Sequence, residues 1–116
     1  HPRYTLLDAS LKIRQTISAQ ESQPGSNELL IGRGADEISL LSGGLPAMDS
    51  DGALPLAEKL DVYHPGWFMT WTSDPPLRTA IVAKNRRMVE RATFPGLDPY
   101  RHAGIILYQL FPKNSQ

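Results

Sequence analysis

Residues 29–41 read Leu-Leu-Ile-Gly-Arg-Gly-Ala-Asp-Glu-Ile-Ser-Leu-Leu, and this stretch sets the class of the fold. Leu29-Leu30-Ile31 is a short apolar run ending at Gly32, the pattern of a buried strand. After the turn, Asp36 to Leu41 has the length for about two turns of helix, and Gly43-Gly44 supplies the left-handed stop. The alternation then repeats. Leu45 to Met48 is a second short strand, and Asp49-Ser50-Asp51-Gly52 is a turn. Pro55, preset for a first helical turn, opens a helix through Leu56, Lys59 and Leu60 that ends before Pro65. Gly66 to Trp71 (GWFMTW), aromatic and bounded by breakers, is a third strand.

Upstream, Thr5 followed by Asp8 fits the start of a helix, the hydroxyl accepting an orphan backbone N–H and the acid favouring the positive dipole end. Leu6, Ala9, Ile13 and Ile17 follow at helical spacing, with Leu7 and Leu11 widening the stripe, so a helix is expected over Leu6 to Ala19. Gln20 to Asn27 is all turn formers and polar groups, a surface loop. Downstream, Ser73-Asp74-Pro75-Pro76 starts a helix, with Asp74 as the cap. Leu77, Ala80, Ile81 and the stem of Lys84 are expected on its inner face. Met88, Glu90, Ala92 and Phe94 alternate with Val89, Arg91 and Thr93 as in a half-exposed strand. Pro95 to Arg101 is a connection, and Ala103 to Phe111 (AGIILYQLF) is a strand deep in the sheet.

Strands separated by helices imply an α/β domain. The expectation is a single three-layer sandwich of about four or five strands over residues 1–116, with helices on both faces and a C-terminal antiparallel hairpin. Its core should hold Leu11, Ile13, Leu30, Ile31, Trp67, Phe68, Met69, Ile81, Val89, Ile106 and Leu107.

Composition narrows the function. The 116 residues carry 12 Lys+Arg against 12 Asp+Glu and no cysteine. Disulfides and cysteine-ligated zinc are excluded for want of sulfur. A net charge of zero lacks the basic footprint of phosphate-backbone binding, which argues against nucleic acid. The apolar runs fall short of the ~20 residues that cross a bilayer, and no basic-then-apolar leader opens the chain.

Several residues invite chemistry. Gly32-Arg33-Gly34 lies between a strand and a helix, where a glycine-rich turn can cradle phosphate. Glu37 stands where the dinucleotide fingerprint has its third glycine, so the competing reading is a tight turn with an acidic first helical turn. An N-terminal histidine can bind copper through amine and imidazole, with His64 or His102 as partner. A helical N-terminus fits that poorly, and His64 and His102 read more simply as loop histidines. Trp67, Met69 and Trp71 share one strand face, suited to stacking sugar rings or to lying beneath a helix. Arg86, Arg87 and Arg91, with Arg101 in the following loop, make a basic cluster, either for a lipid headgroup or phosphate or as the guard of a sheet edge. The candidate ligand-binding residues are therefore Gly32, Arg33, Gly34, Trp67 and Trp71. No residue is assigned to catalysis, to a metal or to a cofactor.

Three passages carry a family resemblance: Tyr4-Thr5-Leu6-Leu7-Asp8-Ala9-Ser10; the aromatic-rich Tyr63 to Trp71; and Val89 to Pro95 followed, after Asp98 and Arg101, by Ile105 to Leu110. Together they span nearly the whole chain. The sequence resembles the soluble C-terminal domain of polytopic family 39-like glycosyltransferases, relatives of protein mannosyltransferases and the bacterial aminoarabinose transferase. The resemblance implies a domain on the extracytoplasmic, periplasmic side, attached through His1 to the membrane-embedded part of the same polypeptide. A helix starting so near His1 would follow the last membrane span with almost no linker. It implies lipid-phosphate-linked sugar donors, catalytic acids and metal-binding residues that lie in the membrane-embedded half, and no activity in the isolated domain. The alternative is a free-standing small ligand-binding α/β domain with an anion site near Gly32-Arg33-Gly34.

Overall fold

The computed structural model describes residues 5–20, 27–97 and 103–113. Along the chain run α1 (Leu6–Ala19), β1 (Leu30–Ile31), α2 (Ala35–Ser42), β2 (Ala47–Met48), α3 (Leu56–Tyr63), β3 (Trp67–Trp71), α4 (Leu77–Lys84), β4 (Arg86–Phe94) and β5 (Ile105–Pro112). The strands form one five-stranded mixed sheet in the order β2-β1-β3-β5-β4. β1 is parallel to both β2 and β3, whereas β5 is antiparallel to β3 and β4. The expected class, layering and terminal antiparallel pair are all present.

Period-two alternation splits the core in two. Leu30, Trp67, Met69, Ile105 and Leu107 point to one face and meet Ala9, Ile13 and Ile17 of α1 with Ala35 and Ile38 of α2. Ile31, Phe68 and Leu110 point to the other and meet Leu56 and Leu60 of α3 with Val82 of α4. Each fully buried large side chain contributes about 1.5–3 kcal/mol by leaving water.

Local rules explain the ends of the elements. Thr5 Oγ1 accepts from the Asp8 N–H at 3.0 Å, and the Asp8 carboxylate accepts from the Thr5 N–H at 3.3 Å, so the capping box closes in both directions. Gly43, at φ 90°, ends α2 in the left-handed conformation that a side chain resists. Gly32 has a different task. A Cβ there would stand inside contact distance of the Met69 backbone, so a bare backbone lets β1 lie against β3.

The structure corrects several expectations. Leu11 is 43% exposed: the buried stripe of α1 is Ala9, Ser10, Ile13 and Ile17, and Leu11 lies on the outward side with Leu7. Ile81, Val89 and Ile106 are only partly buried. On α4 the inner residue is Val82, while Leu77, Ala80 and Lys84 face outward. The most apolar stripe of α4 is Leu77, Ala80 and Ile81, and the docking of the helix onto the sheet instead buries Val82. In β4, Glu90 pairs with Tyr108 and Ala92 with Leu107, so Arg91 is a bulge. It reverses the alternation: Met88 packs toward α3 and α4, whereas Ala92 and Phe94 pack toward α1 and α2. The sequence placed all three on one face. Residues 21–26 of the Gln20–Asn27 loop and 98–101 of the Pro95–Arg101 connection lie outside the described residues, as does His1 to Tyr4.

Candidate functional site

The loop after β1 leads to α2 on one face, and the loop after β3 leads to α4 on the other, although β1 and β3 are parallel neighbours. Such a divergence leaves a crevice at the carboxyl ends of the strands, where α/β sheets accept ligands. Arg33 and Gly34 of the glycine turn meet Trp71 here.

The crevice is lined by interactions of the chain with itself. Arg33 donates through Nε to Asp74 Oδ1 at 2.8 Å, and its Nη2 lies 2.7 Å from the same oxygen. The other carboxylate oxygen of Asp74 accepts from the Trp71 backbone N–H at 3.2 Å. Trp71 Nε1 donates to the Arg33 carbonyl at 3.0 Å, and the guanidinium lies 5.6 Å from the indole centroid, within cation–π range. Asp74 thus ties two turns together. It does not cap α4, whose N-cap is Pro76 with no side-chain hydrogen bond.

The glycine turn is engaged in the same way. Gly34, at φ 82°, donates its N–H to Asp49 Oδ2 at 3.1 Å, while Asp49 Oδ1 accepts from the Asp51 N–H at 2.8 Å. An internal carboxylate therefore stands where a phosphate oxygen would. Behind it, Lys59 is buried and donates from Nζ to the carbonyls of Asp49 and Asp51 at 2.9 and 2.7 Å. The lysine orders the loop that presents Asp49.

Beside this crevice, on the α3/α4 face, lies a cleft of about 410 Å³ between the β2–α3 loop and the start of α4. Its walls include Leu54, Leu56, Leu77 and Ile81, and its polar groups are Ser50, Asp51 and Arg78. Arg78 donates through Nε and Nη2 to Asp51 Oδ1 at 3.1 and 2.8 Å. That hydrogen bond raises the Arg78 pKa above its ordinary value, against a smaller desolvation effect. No local pattern signals this cleft, because Asp51 and Arg78 are 27 positions apart.

The remaining candidates are scattered. Trp67 is buried beneath α1 and α2 and presents no surface to a ligand. Arg86 lies 3.5 Å from Asp61, Arg87 stacks 4.7 Å over Phe111, and Arg91 donates to Gln109 Oε1 at 2.9 Å. The three arginines share an edge strand but have three different partners. His64 is the exposed C-cap of α3, at φ 48°. His1 and His102 lie outside the described residues, among which no cluster of acids and histidines is arranged to hold a metal ion. Comparison with protein-family models, curated proteins and solved structures gives no match.

Proposed function

We propose that this is the non-catalytic domain, outside the bilayer, of a membrane glycosyltransferase that uses lipid-phosphate-linked sugar donors, with the membrane-embedded part of the same polypeptide as its partner. One observation carries the reading. The three passages that resemble the family fall on α1, β3 and the β4–β5 pair, and these elements pack on one another through Ala9, Trp67, Met69, Phe94, Ile105 and Leu107. The likeness thus follows the core of a fold rather than stray similarities in loops.

The proposed place of the domain is the extracytoplasmic side, where it would shape access to active-site loops above the membrane. Among the described residues no helix is long and apolar enough to cross a bilayer, so the anchoring would come from elsewhere in the polypeptide. The second reading, a free-standing domain that takes an anion at Gly32-Arg33-Gly34, has less support because Asp49 already accepts from Gly34.

The test is to read the gene upstream of the His1 codon. Several hydrophobic segments of about 20 residues, with acidic residues in the first long loop, support the proposal. A stop codon, or a signal peptide cleaved just before His1, overturns it. The purified domain should not turn over a lipid-linked sugar.

A further inference from the structure

We infer that the open edge of β4 pairs with β4 of a second copy of this chain, antiparallel about a two-fold axis at Met88. β4 is the last strand of the sheet, so its outer edge presents backbone groups that no neighbouring strand takes up. Which residues present them follows from β5. The Leu110 N–H donates to the Gly66 carbonyl at 2.8 Å, on the β3 side, so Leu110 and Met88 face each other without mutual hydrogen bonds. The N–H and C=O of Met88 therefore point away from the sheet. By the same alternation, so do those of Arg86 and Glu90. Among the described residues no hydrogen bond outside the ladder engages them.

Charge selects the occupant and the register. A charged edge repels its own copy when like charges fall opposite. With Met88 opposite Met88 of the second copy, Arg86 of each chain falls opposite Glu90 of the other. Each opposed pair then exchanges both backbone hydrogen bonds. The three side chains lie on one face, the α3/α4 face on which Met88 packs. The Glu90 side chain is exposed and has no ion pair among the described residues. Arg86 meets Asp61, itself 75% exposed, at 3.5 Å through Nη2, and a guanidinium has further donors for a second carboxylate. Every other centre in the regular stretch of β4 brings like charges together. An axis at Arg86, Arg87 or Glu90 opposes that residue to itself, and an axis at Val89 opposes Arg87 to Arg91.

The bulge at Arg91 ends the strip, so the contact is short and the dimer belongs to the weak, transient class. The edge has this pattern whatever longer polypeptide carries the domain.

The experiment is sedimentation velocity of the protein from about 20 µM to about 1 mM, the range of weak association, with amide chemical shifts followed over the same series. A monomer–dimer equilibrium is expected, and the Arg86, Met88 and Glu90 amides should shift with concentration more than those of Arg87 and Val89. Glu90→Arg changes an exposed side chain and, by the two-fold symmetry, both of its contacts with Arg86. It should weaken dimerisation at least about tenfold. Arg86→Glu, made with Asp61→Asn so that two acids do not meet within the chain, should weaken it likewise. Mixing the two variants should restore association as a heterodimer, because every arginine at these positions then faces a glutamate. Loss in each variant and recovery in the mixture identify this register. The inference fails if the protein stays monomeric throughout, if the concentration-dependent shifts lie elsewhere, if Glu90→Arg leaves dimerisation unchanged, or if the mixture of folded variants stays monomeric.

Discussion

Arg33, in the turn after β1, and Asp74, in the turn after β3, are 41 positions apart and form an ion pair at 2.7 Å across the carboxyl edge of the sheet. The two partners are unequal. The Asp74 side chain is 5% exposed and also accepts the Trp71 N–H, whereas Arg33 is 41% exposed. Removing the acid strands a backbone donor and an arginine; removing the arginine leaves a carboxylate that keeps one bond. Asp74→Ala should therefore cost about 2–3 kcal/mol, and Arg33→Ala about 1 kcal/mol or less, since half-exposed pairs are weak. Urea denaturation of both variants checks this, and equal losses would contradict it.

Close approach of backbones makes Gly32 intolerant. A methyl group there meets the Met69 carbonyl oxygen, which cannot rotate away as a side-chain tip would. Gly32→Ala should destabilise by about 1–3 kcal/mol or more, the cost of overpacking. A melting temperature equal to that of the parent protein would show that β1 and β3 can separate without cost.

Helix α1 offers a paired test of which stripe is buried. Ile13 is fully buried and Leu11 is 43% exposed. Ile13→Ala should cost about 2–5 kcal/mol, against about 1 kcal/mol or less for Leu11→Ala. Comparable losses would place Leu11 in the core after all.

Tyr108 gives the stability an alkaline limb. Burial raises its pKa above the ordinary value, and the neighbouring Glu90 raises it further by repelling the phenolate. The folded state thus favours the neutral phenol. Its contribution is whole below about pH 10, the unfolded value, and is lost as pH rises through the higher folded value. Tyr108→Phe keeps the ring stacked 6.3 Å from Phe68 and should flatten that loss. Denaturation midpoints measured across the alkaline range would decide it; parallel curves for the two proteins would be contrary.

The elements themselves were determined by the sequence, because their causes are local. Thr5 and Asp8 cap α1 from three residues apart, Gly43 stops α2, and apolar runs between breakers leave β1 and β3 no alternative to burial. The layered class follows from their alternation. What only the tertiary structure decided depends on contacts between distant residues. The bulge at Arg91 belongs to the pairing of β4 with β5, and it reverses a face that strict alternation assigns. The choice of Val82 over Leu77 came from the docking of α4 on the sheet. Asp74 read as a helix cap by its neighbours, and became a clamp once β1 carried Arg33 to its side. The glycine turn was legible as a turn, but Asp49, 15 residues beyond Gly34, is what fills its anion position. Pairings of this range are set by strand order, and strand order is a property of the packed sheet that no window of sequence contains.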